Sequence, residues 1–207
     1  MLRLYDYLES GNAYKVRLLL SQLDIPFERV HLDILRAETR TEEFKNKNLN
    51  QRVPVLEFPD GRCLAESNAI LLHLAEGSDF LPKDAFERAL VTQWMFFEQY
   101  SHEPYIAVVR FWYFSKVLDD HRSELAGKVE RGYDALAVME RHLEGKDFFV
   151  GDRYSVADIA LFAYTHVAHE GGFELSQYQN INAWLARVAD QSGHVGIEEE
   201  VGTLVSS

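Results

Sequence analysis

Apolar and polar residues alternate in Leu2-Arg3-Leu4-Tyr5, the pattern of a half-buried β-strand. From Ala13 to Leu23 the spacing lengthens, and Val16, Leu19, Leu20 and Leu23 predict a helix. Glu9-Ser10-Gly11-Asn12 is the turn before it, with Asn12 as a candidate cap. Asp24-Ile25-Pro26 breaks that helix, and alternation returns from Phe27 to Leu32. Thr39 to Asn48 is polar around a lone Phe44, which predicts a short, loosely held helix. Val53-Pro54-Val55-Leu56 and Arg62-Cys63-Leu64 flank Pro59-Asp60-Gly61, whose proline and glycine suit a hairpin turn. Glu66-Ser67 opens a further helix, with Ile70, Leu71 and Leu74 on one face and Gly77 as its stop.

The residues that follow carry no periodicity and read as a linker over 78–84. Beyond them the chain reads as all helix. Phe86, Leu90, Trp94 and Phe97 form one stripe, but Trp94-Met95-Phe96-Phe97 is apolar all round and calls for burial on several sides. Pro104 is expected to kink or end that helix. An aromatic run follows from Tyr105 to Phe114, around Arg110. A helix is expected from His121 to Leu143, with Leu125, Val129, Leu136 and Leu143 inward. Ser155 and Asp158 have capping-box spacing, with Tyr154 and Ile159 at the staple positions. That helix is expected to stop at Gly171-Gly172, another carries Trp184, Leu185 and Val188, and the acidic end from Glu198 onwards is expected to fray. The reading is therefore an α/β N-terminal domain over 1–77 in the order βαβαββα, which is thioredoxin-like, and an all-α domain over 85–207.

Charge narrows the function classes. A net charge of −12 disfavours nucleic acid and anionic membrane as partners, because phosphate binding needs clustered Lys and Arg. A single cysteine, Cys63, allows no internal disulfide and fits a reducing, cytoplasmic setting. The first six residues reach an acid too soon for a signal peptide, and no run has the length of a membrane span.

Candidate chemistry gathers at two helix starts. A hydroxyl at Ser10 can donate to an anion, and the helix dipole adds to that, although a plain turn serine beside Gly11 is the simpler reading of the residues alone. Glu66 and Ser67 lie where free helix N–H groups favour a carboxylate, in a segment suited to something anionic and peptide-like. Cys63 reads as a buried small apolar residue. His166 and His169 share a helix face without a third metal ligand, so no metal site is expected.

Three segments together resemble the cytosolic glutathione transferases, of the serine-type, theta-like bacterial kind, over nearly the full length. They are Ser10-Gly11-Asn12-Ala13-Tyr14-Lys15-Val16-Arg17, Arg52-Val53-Pro54-Val55-Leu56 followed by Glu66-Ser67, and Ser155-Val156-Ala157-Asp158. The resemblance implies conjugation of glutathione to a hydrophobic electrophile, with Ser10 stabilising the thiolate and Asn12 as the fallback donor. It implies a cis Pro54, with the Val53 backbone pairing the tripeptide. Ser67 and Glu66 would hold the γ-glutamyl carboxylate and ammonium, and Arg52, Thr39 and Arg40 the glycyl carboxylate. Tyr105, Arg110, Phe111 and Phe114 are the candidate electrophile wall. It further implies glutathione as co-substrate with no tightly bound cofactor, and a homodimer with part of its contact at Trp94 to Phe97. Two alternatives keep the fold. One is glutathione-dependent peroxide reduction or isomerisation, although isomerases of this kind carry a second serine and a cysteine that Ser10-Gly11-Asn12 lacks. The other is a non-catalytic interaction module of the elongation-factor gamma or stringent-starvation kind.

Overall fold

Strand β1 (Leu2–Asp6) puts Leu4 on one side of a sheet and Tyr5 on the other, as a period of two requires. A computed structural model describes residues 1–205. The first elements are α1 (Gly11–Gln22), β2 (Phe27–His31), α2 (Glu42–Lys47), β3 (Val55–Glu57), β4 (Cys63–Ala65) and α3 (Ser67–Ala75). β1 runs parallel to β2 and antiparallel to β3, and β3 pairs antiparallel with β4. Leu4 packs with Val16, Leu20, Phe27, Leu56 and Ile70 on the α1 and α3 side. Tyr5 packs with Val30, Leu32, Phe44 and Val55 on the side of α2. The lone Phe44 is thus the anchor of α2, and Thr41 caps that helix by accepting the Phe44 N–H at 3.1 Å.

The chain divides into two compact units, Met1–Glu76 together with the chain from Ser192 on, and Gly77–Gln191. The tail does not fray as expected. Strand β5 (Thr203–Val205) runs parallel to β2, giving the sheet order β4-β3-β1-β2-β5. The turn oxygens of the tail are engaged as well: Tyr14 Oη donates to Val195 O at 2.8 Å and Arg17 Nη2 to Ile197 O at 2.8 Å.

The second unit holds α4 (Ala85–Phe97), α5 (Glu103–Phe114), α6 (Arg122–His142), α7 (Val156–Thr165) and α8 (Gln179–Ala189). The stripe of α4 is rotated from the expected one. Val91, Trp94 and Met95 face inward, whereas Phe86, near the exposed helix start, is 72% accessible. A π-helical turn, Glu98–His102, separates α4 from α5. Pro104 lies in the first turn of α5, directly after this π-helical turn, in which the Glu103 N–H donates to Glu98 O. Leu136 and Leu143 are buried along α6, with Leu125 and Val129 half-buried. α7 is buried along its whole length. Its start is the expected capping box: Ser155 N donates to Asp158 Oδ2 at 2.9 Å, and Ser155 Oγ accepts from Ala157 N at 3.3 Å. α7 ends at Thr165, earlier than expected, and a separate 3₁₀ turn at Ala168–Gly171 leads into Gly172, whose φ of 79° is left-handed.

Candidate functional site

The N-cap of α1 is Ser10 and not Asn12, the candidate cap of the sequence reading, because the helix already starts at Gly11. The Ser10 Oγ accepts the Ala13 N–H at 3.3 Å, which leaves the hydroxyl proton as a donor at the positive end of the helix. Asn12, half-buried in the first turn, is joined to the start of α3 across the fold. Ser67 Oγ donates to Asn12 Oδ1 at 3.2 Å. The two helix starts singled out in the sequence, more than fifty residues apart, therefore meet.

Lys15 completes this meeting point. Its side chain is fully shielded from solvent, and its Nζ donates to Asn12 Oδ1 at 2.8 Å and to Ser67 Oγ at 3.5 Å. Lys15 lies within the motif around Ser10, where the sequence alone assigns it no role. The available signal was a lysine on a helix whose residues from Ala13 to Leu20 are all buried.

Glu66 precedes α3 in a backbone conformation that side chains rarely adopt, φ 69° and ψ 110°. Its side chain is exposed, while Ser67, the first helical residue, is buried. The Val53–Pro54 bond is cis, as the resemblance implied, and Pro54 is buried at the entrance to β3. Arg40 and Arg52 are exposed on the segments that flank α2, whereas Thr39 is buried. The Arg52 carbonyl accepts from Asn48 Nδ2 at 2.8 Å.

Cys63 is half-buried on β4 rather than buried, because β4 is the edge of the sheet. Burial pushes its thiol up, and the charge of Glu57 adds to that, so it is held as the poorly nucleophilic thiol. His166 stacks on Phe162 with ring centroids 4.4 Å apart, and its Nδ1 lies 2.8 Å from Phe162 O. No cluster of three metal-ligating side chains occurs among the described residues.

Within the second unit, Arg110 is turned to Glu170, with Nε and Oε2 2.6 Å apart, and is buried. Phe111 and Phe114 are exposed on α5, and Tyr105 is half-buried with Lys128 Nζ 5.4 Å from its ring centre. The aromatic run thus splits: Ile106, Val109 and Trp112 supply core, and Phe111, Tyr113 and Phe114 supply surface.

Known proteins match this chain over most of its length. Residues 1–76 match the family model "Glutathione S-transferase, N-terminal domain", and residues 96–192 match "Glutathione S-transferase, C-terminal domain". A crystal structure of a glutathione S-transferase from Pseudomonas fluorescens is 51% identical, with a TM-score of 0.94, covering 96% of this chain and 99% of that one. A glutathione transferase from Pseudomonas putida, solved with one glutathione disulfide bound per subunit, is 27% identical at a TM-score of 0.81, covering 93% and 88%. The transcriptional regulator URE2 of Saccharomyces cerevisiae is 28% identical over 87% of this chain and 63% of its own length. This chain belongs to the glutathione S-transferase family.

Proposed function

We propose that the protein is a glutathione transferase that joins the thiolate of reduced glutathione to a hydrophobic electrophile. The observation that carries this reading is the Asn12–Ser67 hydrogen bond, which sets the N-terminal ends of α1 and α3 side by side with Ser10 capping the first. Glutathione carries a thiol and, at its γ-glutamyl end, a carboxylate. Two adjacent helix N-termini suit two anionic groups on one ligand.

In the reaction, the sulfur gives up its proton to solvent, forms a bond to the electrophilic carbon, and a leaving group such as chloride departs. A free thiol titrates near ~8.5, and lowering it by about two units takes about 2.7 kcal/mol of preference for the thiolate. The Ser10 hydroxyl, donating to sulfur, supplies a charge-assisted bond of about 1.5–3 kcal/mol, and the helix end adds about 0.3–1 kcal/mol. Asn12 is the fallback donor. Val53 pairs the cysteinyl backbone as a one-residue strand addition, and Ser67 holds the γ-glutamyl carboxylate at the start of α3. Glu66 takes the ammonium, and Arg40 and Arg52 the glycyl carboxylate. Tyr105, Arg110, Phe111 and Phe114 are the proposed electrophile wall, and the charge of Arg110 is met by Glu170. Glutathione is a co-substrate, and no other cofactor is invoked. A homodimer fits the exposed Phe96 and Tyr100, four residues apart along α4 and the turn after it. A cytoplasmic setting fits the glutathione requirement.

Ser10→Ala is expected to cut conjugation of a chlorinated nitroaromatic roughly tenfold or more while glutathione still binds. Unchanged turnover would remove Ser10 from the mechanism. A second reading, a non-catalytic interaction module, is favoured by the relative that is named a transcriptional regulator. Glutathione at millimolar concentration should raise the melting temperature under the first reading, since a ligand of the native state stabilises it. No shift favours the module. Turnover of a peroxide in place of the nitroaromatic would identify the peroxidase variant of the same site.

A further inference from the structure

The chain from Ser192 on belongs with the N-terminal unit, and two side chains one turn apart on α1 seat it there. Tyr14, fully buried, donates from Oη to Val195 O at 2.8 Å, and burial pushes its phenol up, so the hydroxyl stays a donor. Arg17 Nη2 reaches Ile197 O at 2.8 Å, and the guanidinium lies 5.8 Å from the centre of the Tyr14 ring. The seat admits bare backbone only. Gly193 and Gly202 both have left-handed φ, and an added Cβ would meet Gln22 Cα at 3.0 Å in the first and the Phe27 ring at 2.6 Å in the second. The same two residues of α1 also hold the end of the helix that carries Ser10. The Tyr14 N–H closes the first helical turn onto Ser10 O at 2.8 Å. Arg17 Nη2 donates to Leu8 O at 2.7 Å, inside the turn that the Ser10 N–H closes onto Tyr7 O at 2.9 Å. One nitrogen, with two protons, thus joins the tail to the turn that sets Ser10.

We propose that the returning tail is a positioning element of the glutathione site, seated through Tyr14 and Arg17. It fixes the turn before α1, and with it the direction of the Ser10 hydroxyl toward the sulfur. In this role neither Tyr14 nor Arg17 touches glutathione, and both act through Ser10. Placement of a donor matters because a shift of about 1 Å can cost about a hundredfold in rate. This rests on the glutathione reading of the site given above.

The test has two arms. The first is an ultraviolet titration of the thiolate of glutathione bound to the wild type and to Tyr14→Phe, Ser10→Ala and the Tyr14→Phe/Ser10→Ala double variant. Tyr14→Phe keeps the ring and removes the hydroxyl that holds Val195 O. It is expected to raise the bound thiol pKa by about one unit, a tenfold loss of thiolate below that pKa. It should lower kcat at acidic pH with the KM for glutathione little changed. In the Ser10→Ala background it should add no further shift, because the tail acts through Ser10. A tail that serves stability alone lowers the melting temperature of Tyr14→Phe and leaves the thiol pKa at the wild-type value. That result, or shifts that simply add, would overturn the role of the tail while leaving the glutathione reading intact. The second arm is amide exchange in the wild type. Coupling between two sites is reciprocal, so bound glutathione should slow exchange of the Thr203–Val205 amides by about tenfold. Equal exchange in β5 with and without glutathione overturns the proposal even where Tyr14→Phe does not fold. A wild type that binds no glutathione removes both readings.

Discussion

Arg17 Nη1 lies 2.6 Å from Asp6 Oδ1 with both side chains fully shielded from solvent. Arg29, also buried, lies 3.5 Å from the other Asp6 oxygen and 3.4 Å from Glu200. Arg17 Nη2 further donates to Leu8 O at 2.7 Å and to Ile197 O. One carboxylate on β1 thus faces two arginines, and both reach the returning tail, Arg17 at Ile197 O and Arg29 at Glu200. Asp6→Ala leaves both guanidinium groups buried without their shared acid and should cost about 3–5 kcal/mol. Denaturant unfolding checks it, and a loss of under about 1 kcal/mol would contradict the pairing described.

Asp158 gives a pH signature. Burial pushes its carboxyl up from 3.8 to about 6, against the bonds from Trp184, Phe149 and Ser155 that favour the ionised form. Because the folded value is raised, the contribution of this group to stability is fully present below about pH 4. It is lost as pH rises to about 6. The span of about two units corresponds to about 3 kcal/mol. Asp158→Asn carries a fixed cost, since its NH2 would meet the donors of Ser155, but it lacks this pH dependence. The stability of the wild type relative to the variant should therefore fall between pH 4 and 7. A flat difference would show that Asp158 titrates near its ordinary value.

Glu66 separates folding from binding. A non-glycine residue at φ 69° and ψ 110° stores about 1–3 kcal/mol, which glycine relieves at an entropic cost of about 0.5–1 kcal/mol. Glu66→Gly should therefore raise stability by about 1 kcal/mol. It should also weaken glutathione about tenfold or more, through loss of a charge-assisted bond of about 1.5–3 kcal/mol. Calorimetric melting and titration read the two effects separately, and a variant that gains neither stability nor Kd would refute the assignment.

Legibility in the sequence followed the range of the interaction. The Ser155–Asp158 box was readable because both partners lie within one turn, and the hairpin at Gly61 because turn residues act locally. The Glu66-Ser67 helix start was readable for the same reason, whereas the cap of α1 falls on Ser10 and not on Asn12, because two residues able to cap lie within one turn of each other there. The meeting of the two helix starts through Asn12 was not readable, because it spans 55 positions. The same distance hid Lys15, whose partner Ser67 is 52 positions away, and Arg110, whose acid is 60 away. The tail was misread because Thr203–Val205 is too short to show alternation and becomes a strand only through pairing with β2. Phe86 was misplaced because a stripe of four positions cannot fix the rotation of a helix at its exposed first turn.

Whether the protein lowers the pKa of the glutathione thiol is read by ultraviolet difference titration of glutathione on the wild-type protein. A bound thiolate should form with a pKa of about 6.5, about two units below the free thiol. Glutathione that binds but titrates at its free value, or that does not bind, would contradict it.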